Sequence, residues 1–110
     1  MITSVMPNLY STDVQRAIAF YGEMLGGTPT FQFPESGTPE HVELRLGDVT
    51  IAISHRDAVP RQGLPVPTPG NPMELVVWCD DTDATVARLR AAGTPVLVEP
   101  SVHDASGHRR

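Results

Sequence analysis

The sequence is short of cysteine, of basic residues and of long apolar runs. Its single cysteine, Cys79, excludes an internal disulfide framework and a zinc site built from several cysteines, which suits a reducing compartment such as the cytoplasm. Eight basic residues against 13 acidic ones give a net charge of −5, which argues against nucleic-acid or anionic-membrane partners. No apolar run approaches the roughly 20 residues that a membrane-spanning helix needs. Small molecules and protein partners remain as the expected binding partners.

Two stretches of the sequence repeat the same order of apolar strand, aspartate, amphipathic helix and Gly-Thr-Pro. They run from Met6 to Pro29 and from Met73 to Pro95. Aligning Asp13 with Asp81 gives an offset of 68 residues, which shortens to 66 at the Gly-Thr-Pro sequences. This repetition predicts two copies of one supersecondary unit. Because 110 residues suffice for only one ordinary core, residues 1–110 are expected to form a single domain in which the units share that core.

The first unit, residues 2–54, is predicted to have the order β-α-β-β-β. Apolar residues alternate in its strands and recur at helical spacing in its helix. The predicted elements are a strand at 2–10, a helix opened by a capping box at 12–15 and ended by Gly26 and Gly27, a strand at 30–33, and a hairpin of strands 41–46 and 49–54.

Residues 55–72 are predicted to be a proline-rich connector. Prolines at 60, 65, 67, 69 and 72 favour an extended chain and disfavour a helix. A lid over a pocket is the alternative interpretation, because loops of this length also have that role.

The second unit, residues 73–110, is predicted to contain a strand at 74–79, a helix capped by Asp80 or Asp81, and a strand at 95–100. The offset of 66 would place its hairpin at position 107, so the unit is expected to be short of its last two strands. A shortened chain, strands supplied by a partner chain, and a different ending are the alternatives.

The two openings NLYSTDVQRAIAFYGEMLGG and WCDDTDATVARLRAAGTPV resemble the vicinal oxygen chelate superfamily, which includes glyoxalase I, extradiol dioxygenases and bleomycin-resistance proteins. The resemblance extends over nearly the whole chain. It implies an α+β fold in which two tandem βαβββ units form a curved mixed sheet around a cavity. The family's enzymes hold a divalent metal there, through one residue on the first strand and one on the last strand of each unit.

Three of these metal-ligand positions correspond to Met6, Ala52 and Glu74. A thioether is a poor ligand for the hard or borderline cations of this family, and alanine has no ligand atom, so only Glu74 is competent. A catalytic metal site normally has about three protein ligands. The resemblance therefore favours the metal-free, bleomycin-resistance-like branch, without a cofactor. The alternative is a site for Ni, Zn, Fe or Mn that uses Glu74 and other residues.

An aromatic pair, Tyr10 and Trp78, occupies equivalent positions of the two repeats on the predicted cavity face. Aromatic, thioether and amide groups together suit a flat or apolar organic ligand, although a filled core or a dimer interface would use the same groups. The predicted ligand-binding residues are Met6, Asn8, Tyr10, Ala52, Glu74, Val76 and Trp78.

The remaining reactive side chains are expected to be structural. The histidines show no HxH or HxxxH spacing, and His103 and His108 are expected to be solvated. Cys79 is expected to be an inert, buried thiol on the helix-facing side of its strand.

The protein is expected to be a cytoplasmic homodimer, and the resemblance implies that it sequesters an antibiotic or a similar aromatic natural product without chemical change. The alternatives are a metal-dependent lyase, isomerase or dioxygenase of the same fold, and a structural dimer whose cavity is filled by side chains.

Overall fold

The computed structural model describes residues 1–70 and 73–102. The chain divides into two compact units, Met1–Gly70 and Asn71–Arg110. The predicted α+β class and the β-α-β-β-β order of the first unit are confirmed. The elements of that unit are β1 (Asn8–Ser11), α1 (Val14–Ile18) with a π-helical continuation (Ala19–Met24), β2 (Thr28–Phe33), β3 (His41–Leu46) and β4 (Val49–His55).

The four strands form one mixed sheet in the order β1-β4-β3-β2. The hairpin strands β3 and β4 are antiparallel, as are β2 and β3, whereas β1 is parallel to β4. The first strand begins at Asn8, so its predicted start at residue 2 is wrong. Alternating apolar residues extend further towards the N-terminus than the ladder with β4, in which Asn8 is the first residue paired.

The hydrophobic core lies between α1 and one face of this sheet. Its buried residues come from β3, from β4 and from the first turn of the helix, and they are Val14, Val42, Leu44, Ile51 and Ile53. Leu9, Ala17, Ile18 and Tyr21 pack against them and are partly buried. Every second strand residue points to the same side, so the sheet's opposite face is free of α1.

Asp13 begins the helix. Its Oδ1 accepts a hydrogen bond from the Arg16 N–H at 3.0 Å, which satisfies one of the free donors of the first turn. The predicted capping box at 12–15 is therefore wrong by one position, because Asp13 is the N-cap. The Asp13 N–H in turn donates to Ser11 Oγ at 3.0 Å.

The connector is more compact than predicted. Two 3₁₀ turns, Arg56–Ala58 and Pro60–Gln62, replace the expected extended chain, and Ala58 and Val59 are buried. Pro60 does not prevent the second turn, because the first helical position does not use a backbone N–H. Arg56 Nη2 donates to the Pro67 carbonyl oxygen at 2.6 Å, which ties the turns to the following segment.

In the second unit, Asp81 caps α2 (Thr82–Ala91) by accepting a hydrogen bond from the Ala84 N–H at 2.9 Å. This confirms one of the two predicted caps. The strands predicted at 74–79 and 95–100 are wrong, since neither segment is a strand. Alternation indicates which way the side chains of a strand would face, but it does not show that a neighbouring strand is present to pair with it. The repeat offset places the counterparts of β3 and β4 from position 107 onwards, outside the described residues.

Two further predictions concern the surface and the chain's end. Cys79 is exposed, so the prediction of a buried thiol is wrong. His103 and His108 lie outside the described residues. None of the helices that the structure describes combines the length and apolarity required to cross a membrane.

Candidate functional site

The face of the first-unit sheet opposite α1 holds the candidate site, and we call it the open face. Residues paired across neighbouring strands share a face, so the ladder registers define its membership. Its members include Asn8, Tyr10, Phe31, Phe33, His41, Glu43, Ala52 and Ser54.

A continuous chain of hydrogen bonds joins four polar side chains on the open face. Glu43 Oε2 lies 2.9 Å from His41 Nε2, and His41 Nδ1 lies 2.8 Å from Ser54 Oγ. The Ser54 hydroxyl donates to Asn8 Oδ1 at 2.9 Å. We call these four residues the polar chain. It crosses from β3 over β4 to β1, so three strands fix its geometry.

Burial differs along the polar chain. Ser54 is only 5% exposed, whereas His41 and Glu43 are partly buried and Asn8 is exposed. The central hydroxyl is therefore shielded from water, while both ends of the chain remain accessible. A ligand on the open face would meet the Asn8 amide and the Glu43 carboxylate before it met Ser54.

Aromatic side chains flank the polar chain. The Phe31 ring stands edge-on to the His41 ring, with their centroids 6.0 Å apart. Phe33 pairs with His41 in the β2–β3 ladder, and Tyr10 pairs with Ser54 in the β1–β4 ladder. All three aromatic side chains are about half-exposed. The open face thus combines hydrogen-bonding groups with exposed rings, an arrangement typical of sites for small organic ligands.

The open face offers few metal ligands. Ala52 cannot coordinate, and Met6 precedes β1 with a thioether that suits the family's cations poorly. His41 and Glu43 supply one nitrogen and one carboxylate donor, and nowhere in 1–70 or 73–102 do three His, Cys, Asp or Glu side chains meet at a spacing that could hold a metal ion. The described residues therefore do not fit the metal centre of the family's enzymes, although the expectation that the chain binds no metal remains a prediction.

The seven predicted ligand-binding residues fall into three groups. Asn8 and Tyr10 lie on the open face with exposed side chains, and Met6 lies just before it. Ala52 also belongs to this face but is 0% exposed, so its side chain offers no surface to a ligand. Glu74, Val76 and Trp78 belong to the second unit, where each is exposed.

The sequence-based prediction of the site omitted His41, Glu43 and Ser54. A signal for two of them was present, because the alternation of β3 places His41 and Glu43 on the side opposite Val42 and Leu44. A histidine and a glutamate two residues apart on one strand have side chains on the same face. The partnership with Ser54 depends on strand register, which the sequence pattern did not fix.

Comparison with known proteins adds evidence on the family and the fold. Residues 2–109 match the family model described as the Glyoxalase/Bleomycin resistance protein/Dioxygenase superfamily. No curated protein matches the chain.

Three similar solved structures differ in what they are named for. TioX from Micromonospora sp. ML1 is 22% identical with a TM-score of 0.70, and the match covers 97% of this chain and 85% of TioX. The bleomycin resistance determinant encoded on the transposon Tn5 is 17% identical with a TM-score of 0.61, over 98% of this chain and 84% of that one. Lactoylglutathione lyase from Agrobacterium tumefaciens is 19% identical with a TM-score of 0.66, over 97% and 81%. At these identities the likeness establishes the fold alone.

Proposed function

Because the chain belongs to the Glyoxalase/Bleomycin resistance protein/Dioxygenase superfamily, we propose that it binds a small organic molecule on the open face without using a metal. One observation carries this proposal: exposed aromatic rings flank a hydrogen-bonded polar chain. Of the three positions that correspond to metal ligands of the family's enzymes, two carry Met6 and Ala52, which are poor or incapable ligands, and only the third carries a competent residue, Glu74. The proposed ligand has a flat apolar part and at least one polar or cationic group.

The aromatic side chains would supply most of the affinity. Tyr10, Phe31 and Phe33 each leave about half of their surface exposed, and a ligand that covered this surface would remove apolar area from water. Burying the exposed half of one such side chain, about 100 Å², contributes roughly 2.5 kcal/mol at about 25 cal/mol for each Å² of apolar surface. Three rings together therefore suffice for binding in the micromolar range only when polar contacts add to them.

The polar chain would orient the ligand. Glu43 can attract a cationic group, and the Asn8 amide can form a hydrogen bond. Because both side chains are already held by neighbours, binding costs them little conformational freedom. The mechanism we propose is enclosure and orientation of the ligand, with no bond made or broken.

The proposal extends to the second unit and to the assembly. Glu74, Val76 and Trp78 of the second unit are kept as proposed ligand-binding residues, because their repeat positions correspond to those of the first strand and Trp78 corresponds to Tyr10. In this proposal the ligand is an antibiotic or a related aromatic natural product, the protein is a homodimer, and it acts in the cytoplasm.

Calorimetric titration of metal-stripped protein tests the proposal, with bleomycin and other planar, cationic natural products as probes. We expect at least one probe to bind and Phe31→Ala to weaken that binding by about tenfold, which corresponds to about 1.4 kcal/mol. Leu64→Ala is the matched control, because Leu64 is 49% exposed in the connector and is no part of the open face. Failure of every probe, or equal weakening by both variants, would refute the proposal.

Elemental analysis of protein purified without chelator separates this function from the metal-dependent alternative. The alternative, a lyase, isomerase or dioxygenase, would use Glu74 with other ligands. About one equivalent of nickel, zinc, iron or manganese for each chain would favour it. Substoichiometric metal, together with ligand binding by the stripped protein, would favour the proposed binding function.

A further inference from the structure

The polar chain constrains where its protons lie. Each hydroxyl has one proton, and an ionised carboxylate can only accept hydrogen bonds. Since Glu43 accepts at 2.9 Å from His41 Nε2, that ring nitrogen must carry a proton. The state of the other ring nitrogen, Nδ1, then decides the direction of every remaining bond in the polar chain.

When His41 carries protons on both ring nitrogens, its Nδ1–H donates to Ser54 Oγ. The Ser54 hydroxyl then donates onward to Asn8 Oδ1, as in the structure. The Asn8 NH₂ group is directed away from Ser54, and it has no hydrogen-bond partner among residues 1–70 and 73–102. In this state Asn8 offers donors to a ligand.

When His41 carries only the Nε2 proton, the directions reverse. Nδ1 becomes an acceptor, so the Ser54 hydroxyl donates to it and Ser54 Oγ is left with lone pairs towards Asn8. A carbonyl oxygen facing those lone pairs would be repelled, whereas an NH₂ group would donate to them. Because the two ends of an amide have nearly the same shape, rotating the Asn8 side-chain amide by a half-turn restores a hydrogen bond between Asn8 and Ser54. Its carbonyl oxygen then faces the ligand as an acceptor.

We propose that His41, Ser54 and Glu43 are positioning residues that set which end of the Asn8 amide a ligand meets. With a doubly protonated His41, the site takes a ligand group that accepts hydrogen bonds, such as a carbonyl or carboxylate. With a singly protonated His41, it takes a donor, such as an ammonium or hydroxyl group. This proposal rests on the proposed function for one premise, namely that the ligand contacts the Asn8 amide.

We call this proton-dependent reversal of the hydrogen bonds from His41 to Asn8 the relay. Few other titratable groups lie close enough to interfere with it. Glu43 is the carboxylate in contact with His41 on β3, Arg45 follows it on the same face, and Tyr10 of β1 lies beside Ser54. Strand β2 faces His41 with the rings of Phe31 and Phe33, which carry no charge. The histidine at the end of β4, His55, is engaged with the Asp57 N–H at 3.1 Å and belongs to the alternate face of its strand.

Nuclear magnetic resonance of the isotope-labelled, ligand-free chain tests the relay. The ring nitrogens of His41 and the side-chain amide of Asn8 are followed between about pH 5 and 8, where histidines titrate. We expect the Asn8 amide signals to shift with the same midpoint as the His41 ring. An Asn8 amide that stays unchanged while His41 titrates would overturn the proposal.

Two test variants, each with a control variant, assign the effect to the relay. In Ser54→Ala the amide signals of Asn8 should no longer shift with the protonation of His41. Thr50→Ala, which removes a hydroxyl from the same face of β4, should leave this coupled shift intact. His41→Gln should abolish the Asn8 shift and His55→Gln should preserve it. Persistent coupling in Ser54→Ala, or its loss in His55→Gln, would contradict the relay.

The wild-type titration decides the question even when a variant does not fold. Because no ligand is present, these spectra are also independent of the calorimetric test above. The relay and the proposed function can therefore fail separately.

Discussion

Gly27 lies directly against the backbone of Tyr21. Its N–H donates to the Tyr21 carbonyl oxygen at 2.8 Å, and a Cβ added to Gly27 would lie 2.7 Å from that same oxygen. This hydrogen bond closes the π-helical continuation of α1 and leads the chain into β2. The close approach explains why a residue without a side chain stands at position 27, between the end of the helix at Met24 and the start of β2.

We therefore expect Gly27→Ala to destabilise the protein by about 1–3 kcal/mol, because a backbone oxygen cannot move aside as a flexible side chain can. Gly22→Ala is the matched control, since a Cβ there would meet its nearest neighbours at 3.6 Å, which is ordinary contact. Alanine also favours a helix over glycine by up to about 1 kcal/mol, so Gly22→Ala should be neutral or stabilising. Urea unfolding of both variants measures the difference, and equal destabilisation would contradict the close contact.

Leu44 is the largest wholly buried side chain of the core, with 0% exposure. Leu44→Ala should lower the free energy of unfolding by about 2–5 kcal/mol, because it removes apolar contacts and leaves a cavity between the sheet and α1. Leu64→Ala, at an exposed position, should change it by less than about 0.5 kcal/mol. A loss of similar size in both variants would show that the core is not where the structure places it.

Asp13 should stabilise the start of α1 through its side-chain oxygen. Asp13→Ala removes the acceptor of the Arg16 N–H and should cost about 1 kcal/mol. Asp13→Asn keeps an oxygen at the same position and should retain most of the stability. Chemical unfolding of the three proteins checks the order, and an alanine variant as stable as the asparagine variant would argue against the cap.

Tyr21 should make stability depend on pH in the alkaline range. Burial raises the pKa of the Tyr21 phenol above its ordinary value of 10.0. The corresponding stabilisation is complete below pH 10.0, where the phenol of the unfolded chain is also neutral, and it is lost as the pH rises through the folded-state pKa. Tyr21→Phe should flatten the decline in urea midpoint above about pH 10. If the urea midpoint of Tyr21→Phe declined as steeply as that of the wild type, the alkaline loss of stability would belong to other groups.

The first unit shows how much of a fold the sequence alone can predict. Strand β3 has its predicted bounds, and β4 differs only by the addition of His55, because both strands alternate clearly and flank a tight Gly-Asp turn. The second unit shows the limit of such patterns. Residues 75–79 form an apolar run that is typical of a strand, yet such a pattern does not supply the neighbouring strand whose hydrogen bonds would make it one.

The candidate site divides in the same way. Asn8 and Tyr10 were predicted because they alternate with Leu9, which packs against the core. His41, Glu43 and Ser54 come together through the register of β3 on β4, in which His41 pairs with Ser54. A shift of that register by one residue would turn Ser54 to the helix side. A hydrogen-bond network that spans three strands is therefore a property of register, which composition and spacing do not determine.

The parallel pairing of β1 with β4 also predicts an order of events in folding. Asn8 pairs with Ala52, so 44 positions separate these two residues along the chain. The turn between β3 and β4, in contrast, joins residues that are only a few positions apart, such as Leu46 and Val49. Contacts between distant positions form slowly, since closing a longer loop costs more entropy. As the chain leaves the ribosome, the amino-terminal strand is made first but waits for the fourth strand before it can join the sheet. The two partners of the Asn8–Ser54 hydrogen bond then meet only in this step, so the polar chain should be among the last features of the first unit to form.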